Sequence, residues 1–324
     1  MRARRTIGVD MGGTKLLAGA VDAGLGVHHR TQRTVAGLDQ AALLDTVVDA
    51  VLETRDAAGG EVAAVGFGIP CTFDFRTGIA VQAVNLSLAG IPFGDVMAER
   101  LGLPVYVDND ANAAAIAEHR AGAARGATEA VVLTVGTGIG SGLILRGQPY
   151  RGAIGAAPEI GHMVIELDGP PCQGNCPSRG CLEALASGTA LAREAQRIAR
   201  ANPSSGLGRA LAQGRELVGP LVTELAHDGD AAALETIELI GMRLGVGISN
   251  CVNIFNPQVV VIGGGVIAAG ELLLRPARAV VAQRALAPGA EEVRIVAARF
   301  GVEAGMMGAA ALAFDGIAIR GEAA

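Results

Sequence analysis

Apolar residues in this chain fall into two rhythms, continuous runs of strand length and stretches at helical spacing. The first run is part of a strand–turn–strand unit: Ile7-Gly8-Val9-Asp10, the turn Met11-Gly12-Gly13-Thr14-Lys15, then Leu16 to Val21. A second unit runs from Ala130 to Thr134, turns at Gly136-Thr137-Gly138, and continues from Ile139 to Leu145. An apolar strand, a small polar turn and another apolar strand make hairpin grammar. Neither turn opens a helix, as a dinucleotide fold would require. Between the hairpins, Leu38, Ala41, Ala42, Leu44, Val48, Val51 and Leu52 mark a helix over 38–57, and Val62–Ile69 and Pro104–Asp108 read as buried strands. Asp110 to Ala121 reads as a helix capped by its own aspartate. Helical patterns fill Leu182–Arg200, Ala231–Phe255 and Glu271–Leu286, and a strand from Gln258 to Ile262 runs into Gly263-Gly264-Gly265.

Two copies of one hairpin-led plan imply a duplicated α/β protein with two lobes and a central cleft. The expected small lobe spans 1–120, completed by a C-terminal helix over 305–324, and the large lobe spans 121–304. The 324 residues give ample length for this. Half of them are hydrophobic and 18% charged, and the net charge of -6 lacks the basic excess that nucleic-acid binding normally shows. Behind the basic Met1-Arg2-Ala3-Arg4-Arg5 there is no apolar signal segment. The longest uncharged stretch, Leu244 to Gly270, contains three Asn, a Pro and a Gly triplet, so a buried helix followed by a buried strand is expected rather than a membrane span. Three of the five Cys are clustered, which suits a reducing compartment and a metal better than a disulfide framework. The expected location is the cytoplasm.

The candidate chemistry lies in the turns. Asp10 stands at a strand end before Gly12, Gly13, Thr14 and Lys15. Glycine N–H groups can meet phosphate oxygens closely, and an aspartate there suits magnesium held through water and nucleotide oxygens. Gly136, Thr137, Gly138 and Gly140 offer the same chemistry, and Gly264 and Gly265 can pass under an adenine–ribose unit. Plain tight turns are the alternative for each loop alone, and neither is a Walker loop. Asp108-Asn109-Asp110 follows a buried strand at a helix start, where α/β folds place ligands. Asp110 is placed to accept a proton from a substrate hydroxyl and Asn109 to orient neighbouring hydroxyls, whereas Asp108 reads as a helix cap. Asn85, in a Gly- and Pro-flanked loop, is a polyol contact or a turn residue. Glu159, His162, Cys172, Cys176, Cys181 and Glu183 crowd one segment; one His and three Cys can close a tetrahedral zinc site. Cys71 and Cys251 read as small core residues.

Together these residues resemble the ROK family (repressors, open reading frames, kinases), and within it the bacterial ATP-dependent glucokinases. The motifs are Asp10-x-Gly-Gly-Thr-Lys15, Asn109-Asp110, the second phosphate loop, Glu159-x-x-His162, the Cys cluster with Gly180-Cys181-Leu182-Glu183, and the Gly triplet. The resemblance covers essentially the whole chain. It implies an actin-like/hexokinase-type (ribonuclease H-like) fold with sugar in the cleft. It makes Asp110 the catalytic base on the 6-hydroxyl of a hexose, with Asn109, Glu159, His162 and Glu183 on the other hydroxyls. It implies ATP and magnesium, and a structural zinc held by His162, Cys172, Cys176 and Cys181. Glucose is the expected acceptor; N-acetylmannosamine, N-acetylglucosamine or fructose are the alternatives within the family. Polyphosphate as donor is disfavoured, because family members that use it generally lack the Cys cluster. A homo-oligomer, dimer or tetramer, is expected, with no membrane or nucleic-acid partner. The family's repressors carry a helix-turn-helix domain before the first phosphate loop, and nine residues precede Asp10 here, which argues for a kinase over a sugar-sensing regulator. One departure is visible: the family pattern is Cys-x-Cys-Gly-x-x-Gly-Cys, whereas Cys172 and Cys176 enclose Gln173-Gly174-Asn175. A disulfide is the competing reading of the cluster.

Overall fold

The computed structural model describes residues 4–74, 76–83, 86–88 and 90–322. Its strands are β1 (Arg4–Met11), β2 (Lys15–Asp22), β3 (Val27–Thr34), β4 (Glu61–Ile69), β5 (Cys71–Asp74), β6 (Ile79–Ala83), β7 (Val105–Asn109), β8 (Ala130–Val135), β9 (Ile139–Leu145), β10 (Gln148–Pro149), β11 (Val259–Gly263) and β12 (Arg294–Ala297). Its helices are α1 (Gln40–Ala57), α2 (Phe93–Leu101), α3 (Asp110–Ala121), α4 (Leu182–Ala186), α5 (Gly188–Ala201), α6 (Gly206–Ala212), α7 (Gly219–His227), α8 (Ala231–Phe255), α9 (Glu271–Arg284), α10 (Gly289–Glu292) and α11 (Ala304–Glu322).

Two five-stranded sheets repeat one plan, in the orders β3-β2-β1-β4-β7 and β10-β9-β8-β11-β12. In the first, β1, β2 and β3 are antiparallel while β1, β4 and β7 are parallel. In the second, β8, β11 and β12 are parallel. This is the duplicated, actin-like α/β fold. The chain divides into one compact unit of 1–126, 142–158 and 299–324, and another of 127–141 and 159–298. The first therefore takes in 142–158 as well as the C-terminal helix, whereas the expectation from sequence ran one lobe unbroken from 121 to 304.

The first unit sandwiches its sheet between two apolar layers. Ile7, Val9, Leu16, Phe67 and Ile69 pack with Leu43, Val47 and Val51 of α1 and Phe93 and Met97 of α2. Val21 and Leu25 pack with Ile116 and Ala117 of α3 and Met306, Met307, Ala310 and Ala311 of α11. Helix α11 lies directly on the strand backbones: a Cβ on Gly66 would fall 1.8 Å from the Ala309 oxygen and one on Gly8 1.9 Å from that of Met306. Among the described residues one helix is long and apolar enough to cross a membrane, Gly301–Ile319, and it is this one. The uncharged stretch around residue 250 is the end of α8 followed by β11, a buried helix and a buried strand as expected. Cys71 and Cys251 are core residues, 3% and 1% exposed.

Three local differences from the sequence reading have clear causes. The helix expected over Leu182–Arg200 breaks at Ser187, whose extended backbone lets its hydroxyl accept from the Ala190 N–H and start α5 anew. The cap of α3 is Asn109, not Asp110: Asn109 Oδ1 accepts from the N–H groups of Ala111 and Asn112 at 2.9 and 3.2 Å. Strand β3 carries no visible apolar alternation because it is a sheet edge, where Thr31 is the one fully buried position.

Candidate active site and metal centre

In the first unit the parallel strands β1, β4 and β7 end side by side, with Asp10 in register with Gly68 and Gly68 with Asp108. Parallel strand ends and a helix start thus converge on one edge. Asp10 and Asp110 keep a little surface exposure, but protein surrounds their carboxyl groups. Burial first, and then the negative charge of Asp110, push the Asp10 pKa up to about 7. Burial likewise raises Asp110, against the opposing pull of N–H groups and the Asn109 side chain. No cation pairs with Asp10 among the described residues, so a metal ion or a ligand cation is the natural complement of this edge. Gly305 of α11 is fitted against it: a Cβ there would sit 2.6 Å from Asp10 Cγ. Gly12, Gly13 and Thr14 form the turn after Asp10, closed by the Gly12 N–H on the Lys15 oxygen at 2.8 Å, and Lys15 is exposed.

The neighbouring Asp108 is neither a cap nor open to a ligand. It is 1% exposed and accepts from Asn112 Nδ2 at 3.0 Å, the Asn109 N–H at 2.8 Å and Arg151 Nε at 2.7 Å. A buried carboxylate held this way fixes the strand end that carries Asn109 and Asp110. Because the Asn109 oxygen is occupied as the cap, Nδ2 is its donor, with one hydrogen for the Asp110 carboxylate and the second for a ligand. Asn85 lies outside the described residues.

In the second unit the turn Gly136-Thr137-Gly138 follows β8, and Gly264-Gly265 follows its parallel neighbour β11. Gly264, at φ +84°, crosses the end of β8 so closely that a Cβ would lie 2.4 Å from the Val135 oxygen; Gly265 meets nothing within 4 Å. Behind the turn stands Glu183, 8% exposed, whose Oε2 accepts from the Ile139 N–H at 2.7 Å. Its Oε1 receives the Cys172 thiol at 3.4 Å. A Cβ on Gly138 would lie 2.3 Å from Glu183 Oε2, so any side chain there would have to displace the carboxylate from its bond to Ile139.

The ligand atoms of His162, Cys172, Cys176 and Cys181 all lie within 4.8 Å of one another. His162 Nδ1 is 3.6 Å from Cys172 Sγ, while its Nε2 is 4.0 Å from Glu159 Oε2, so the ring turns one nitrogen to each. The five cysteines form no disulfide. Burial, the Cys181 thiol and the Glu183 carboxylate raise the Cys172 pKa, and burial raises that of Cys181. A dication is what converts such thiols to thiolates, and one imidazole with three sulfurs is a zinc donor set. Three residues between Cys172 and Cys176 do not prevent the cluster from closing, because Gly174 turns at φ +64° between them.

The ROK family model matches residues 6–315. This chain belongs to the ROK family. The glucokinase of Thermotoga maritima is 34% identical to it over 310 residues, covering 95% of this chain and 96% of that protein. A crystal structure of a ROK glucokinase from Streptomyces griseus, in complex with glucose and AMPPNP, is similar at TM-score 0.84 and 34% identity, covering 96% of this chain and 99% of that one. A relative named as a regulator is similar too: a putative xylose repressor of Caldicellulosiruptor is 32% identical over 252 residues, 78% of this chain and 62% of that protein.

Within this ROK chain the structure brings Asp10 near Asp110, and Glu183 to both the second turn and the Cys cluster. Sequence reasoning missed Arg151, Gln173, Thr189 and Gly305. None lies in a motif of its own; each acts on a residue distant in the chain, so only the folded contacts reveal it.

Proposed function

We propose that this protein is an ATP-dependent glucokinase, transferring the γ-phosphoryl group of ATP to the 6-hydroxyl of glucose. The observation that carries the reading is the carboxylate pair Asp10 and Asp110, both held above the ordinary carboxylate range on one edge, in a chain with close glucokinase relatives. Phosphoryl transfer asks a protein chiefly for positioning and charge neutralisation. Asp110 accepts the proton of the 6-hydroxyl as that oxygen attacks the γ-phosphorus. Burial raises its pKa and with it the basicity of its carboxylate toward the hydroxyl proton.

Asn109 donates through Nδ2 to a neighbouring sugar hydroxyl, and Glu159 and His162 Nε2 take others. Glu183 contributes Oε1, which would be released from the Cys172 thiol once that sulfur is a thiolate on metal, because its Oε2 is committed to Ile139. The N–H groups of Gly13, Thr14 and Gly138, the Thr137 hydroxyl and Lys15 donate to phosphate oxygens, Gly12 closes its turn on Lys15 and leaves room for them, and Gly265, beside the tightly packed Gly264, leaves open backbone for adenosine. Magnesium, carried with ATP, supplies charge neutralisation at the phosphates, and Asp10 is the residue that would hold it. Zinc held by His162, Cys172, Cys176 and Cys181 supplies a cross-link and no open coordination position.

ADP production with magnesium-ATP, measured one sugar at a time, tests the reading. Glucose is expected to give the highest kcat/KM among glucose, mannose, fructose, N-acetylglucosamine and N-acetylmannosamine. A maximum on an N-acetylated sugar would move the acceptor to amino sugars, and silence on all five would remove the kinase reading.

A further inference from the structure

Two residues close in sequence to metal-ligand positions end on the two peptides that flank Gly138 in the second turn. Gln173 follows Cys172, and its Nε2 donates to the Thr137 oxygen at 3.0 Å. Since a carbonyl only accepts, this contact also fixes which end of the Gln173 amide is nitrogen. Glu183 lies two residues beyond Cys181, and its carboxylate occupies the space beside Gly138 and holds the Ile139 N–H. The Gln173 nitrogen closes the same space, 3.2 Å from where a Gly138 Cβ would be. Thr189 Oγ1 of α5 also donates to the Thr137 oxygen, at 2.9 Å.

The consequence follows from peptide planarity. In a trans peptide the Thr137 C=O and the Gly138 N–H point in opposite directions. Anchoring the oxygen against Gln173 and Thr189 aims the Gly138 N–H away from both, and that N–H has no acceptor among the described residues. A donor preset in this way needs no reorientation when an anion arrives.

We propose that Gln173 is a positioning residue that couples the Cys/His metal loop to the donor-phosphate turn, so that metal occupancy sets nucleotide affinity as well as the sugar side. This rests on the glucokinase reading for the identity of the nucleotide. When the metal is lost, the Cys172–Cys176 segment is released, Gln173 leaves the Thr137 oxygen, and the turn is held by Thr189 and Glu183 alone.

Calorimetric titration of AMPPNP with magnesium into the metal-loaded protein tests this, with glucose titrated as a control and metal content measured in each preparation. Gln173→Ala is expected to weaken AMPPNP about fivefold, the value of one such hydrogen bond, while keeping its metal and its glucose affinity. Gln173→Glu, which keeps the shape but can only accept, is expected to lose at least as much. Chelation is expected to weaken AMPPNP more in the wild type than in Gln173→Ala, the non-additivity of two changes on one path. Unchanged AMPPNP affinity in both variants, equal losses on chelation, or loss of metal from Gln173→Ala would each overturn the proposal. A wild type that binds glucose but no nucleotide would instead remove the ATP-dependent reading beneath it, and the proposal with it.

Discussion

The two hairpin turns are written alike in sequence and supported differently in the fold. The turn after Asp10 is closed by its own backbone, Gly12 on Lys15, and by the Val35 N–H on the Thr14 oxygen. The turn after β8 also has a backbone closure, the Gly136 N–H on the Gly138 oxygen, but side chains from three distant places brace it: Gln173, Glu183 and Thr189. Regular sheet and helix geometry places the first, because Asp10 and Asp110 stand at strand and helix ends whose hydrogen bonds are local. The second sits against an irregular segment, 159–181, that carries the Cys/His cluster and two isolated bridges, Val164 with Cys181 and Pro171 with Arg179. Local structure makes a site robust; a site that leans on a candidate metal cluster would be conditional on the metal.

The comparison breaks most visibly at the chemistry. Asp110→Ala is expected to lower kcat by roughly 10²–10⁴, the usual worth of a general base, with the far-ultraviolet dichroism unchanged because Asn109 still caps α3. Wild-type-like turnover would take the base role away from Asp110. Next in size is metal removal. Chelation is expected to expose the 159–181 segment to trypsin at the exposed Arg179 while the first unit stays protected, seen as one early cleavage by mass spectrometry. A segment that resists trypsin after verified metal loss would show that the bridges alone hold it.

Paired glycine substitutions sharpen the contrast. Gly138→Ala places a methyl group 2.3 Å from Glu183 Oε2 and is expected to cost about 1–3 kcal/mol in denaturant unfolding. Gly12→Ala meets only the Lys15 oxygen, at 3.4 Å, and is expected to stay within about 0.5 kcal/mol. Equal costs would mean that the two turns are supported alike after all. A further effect belongs to pH. With its pKa raised from 3.8 to about 7, Asp10 holds its proton in the folded state where the unfolded chain has lost it. Its contribution to the stability of the ligand-free protein is therefore full below 3.8 and is lost as pH rises through about 7. Asp10→Asn should flatten that slope in urea midpoints measured across this range, and an unaltered slope would assign it to other groups.

Much of this was legible along the chain. The hairpins, α1, α8, α9, β4 and β11 appear where apolar rhythm places them, because each buries one continuous face and the pattern records it. The His and Cys ligand candidates were legible because metal chemistry restricts residue type and spacing. The cap of α3 was not, since Asn109 and Asp110 are both good capping types and only backbone geometry chooses between them. Nor was Asp108, whose burial under Arg151 depends on a residue 43 positions away.

The sequence by itself determined the duplicated plan, the acidic residues at the strand ends and the four clustered donors, because periodicity, turn chemistry and ligand type are local properties of the chain. Tertiary structure alone decided which carboxylates are raised, which glycines are obligatory and which side chains brace the second turn. Burial, repulsion between Asp10 and Asp110 and close approach to Glu183 are properties of atoms brought together from distant positions, and no window along the chain contains them.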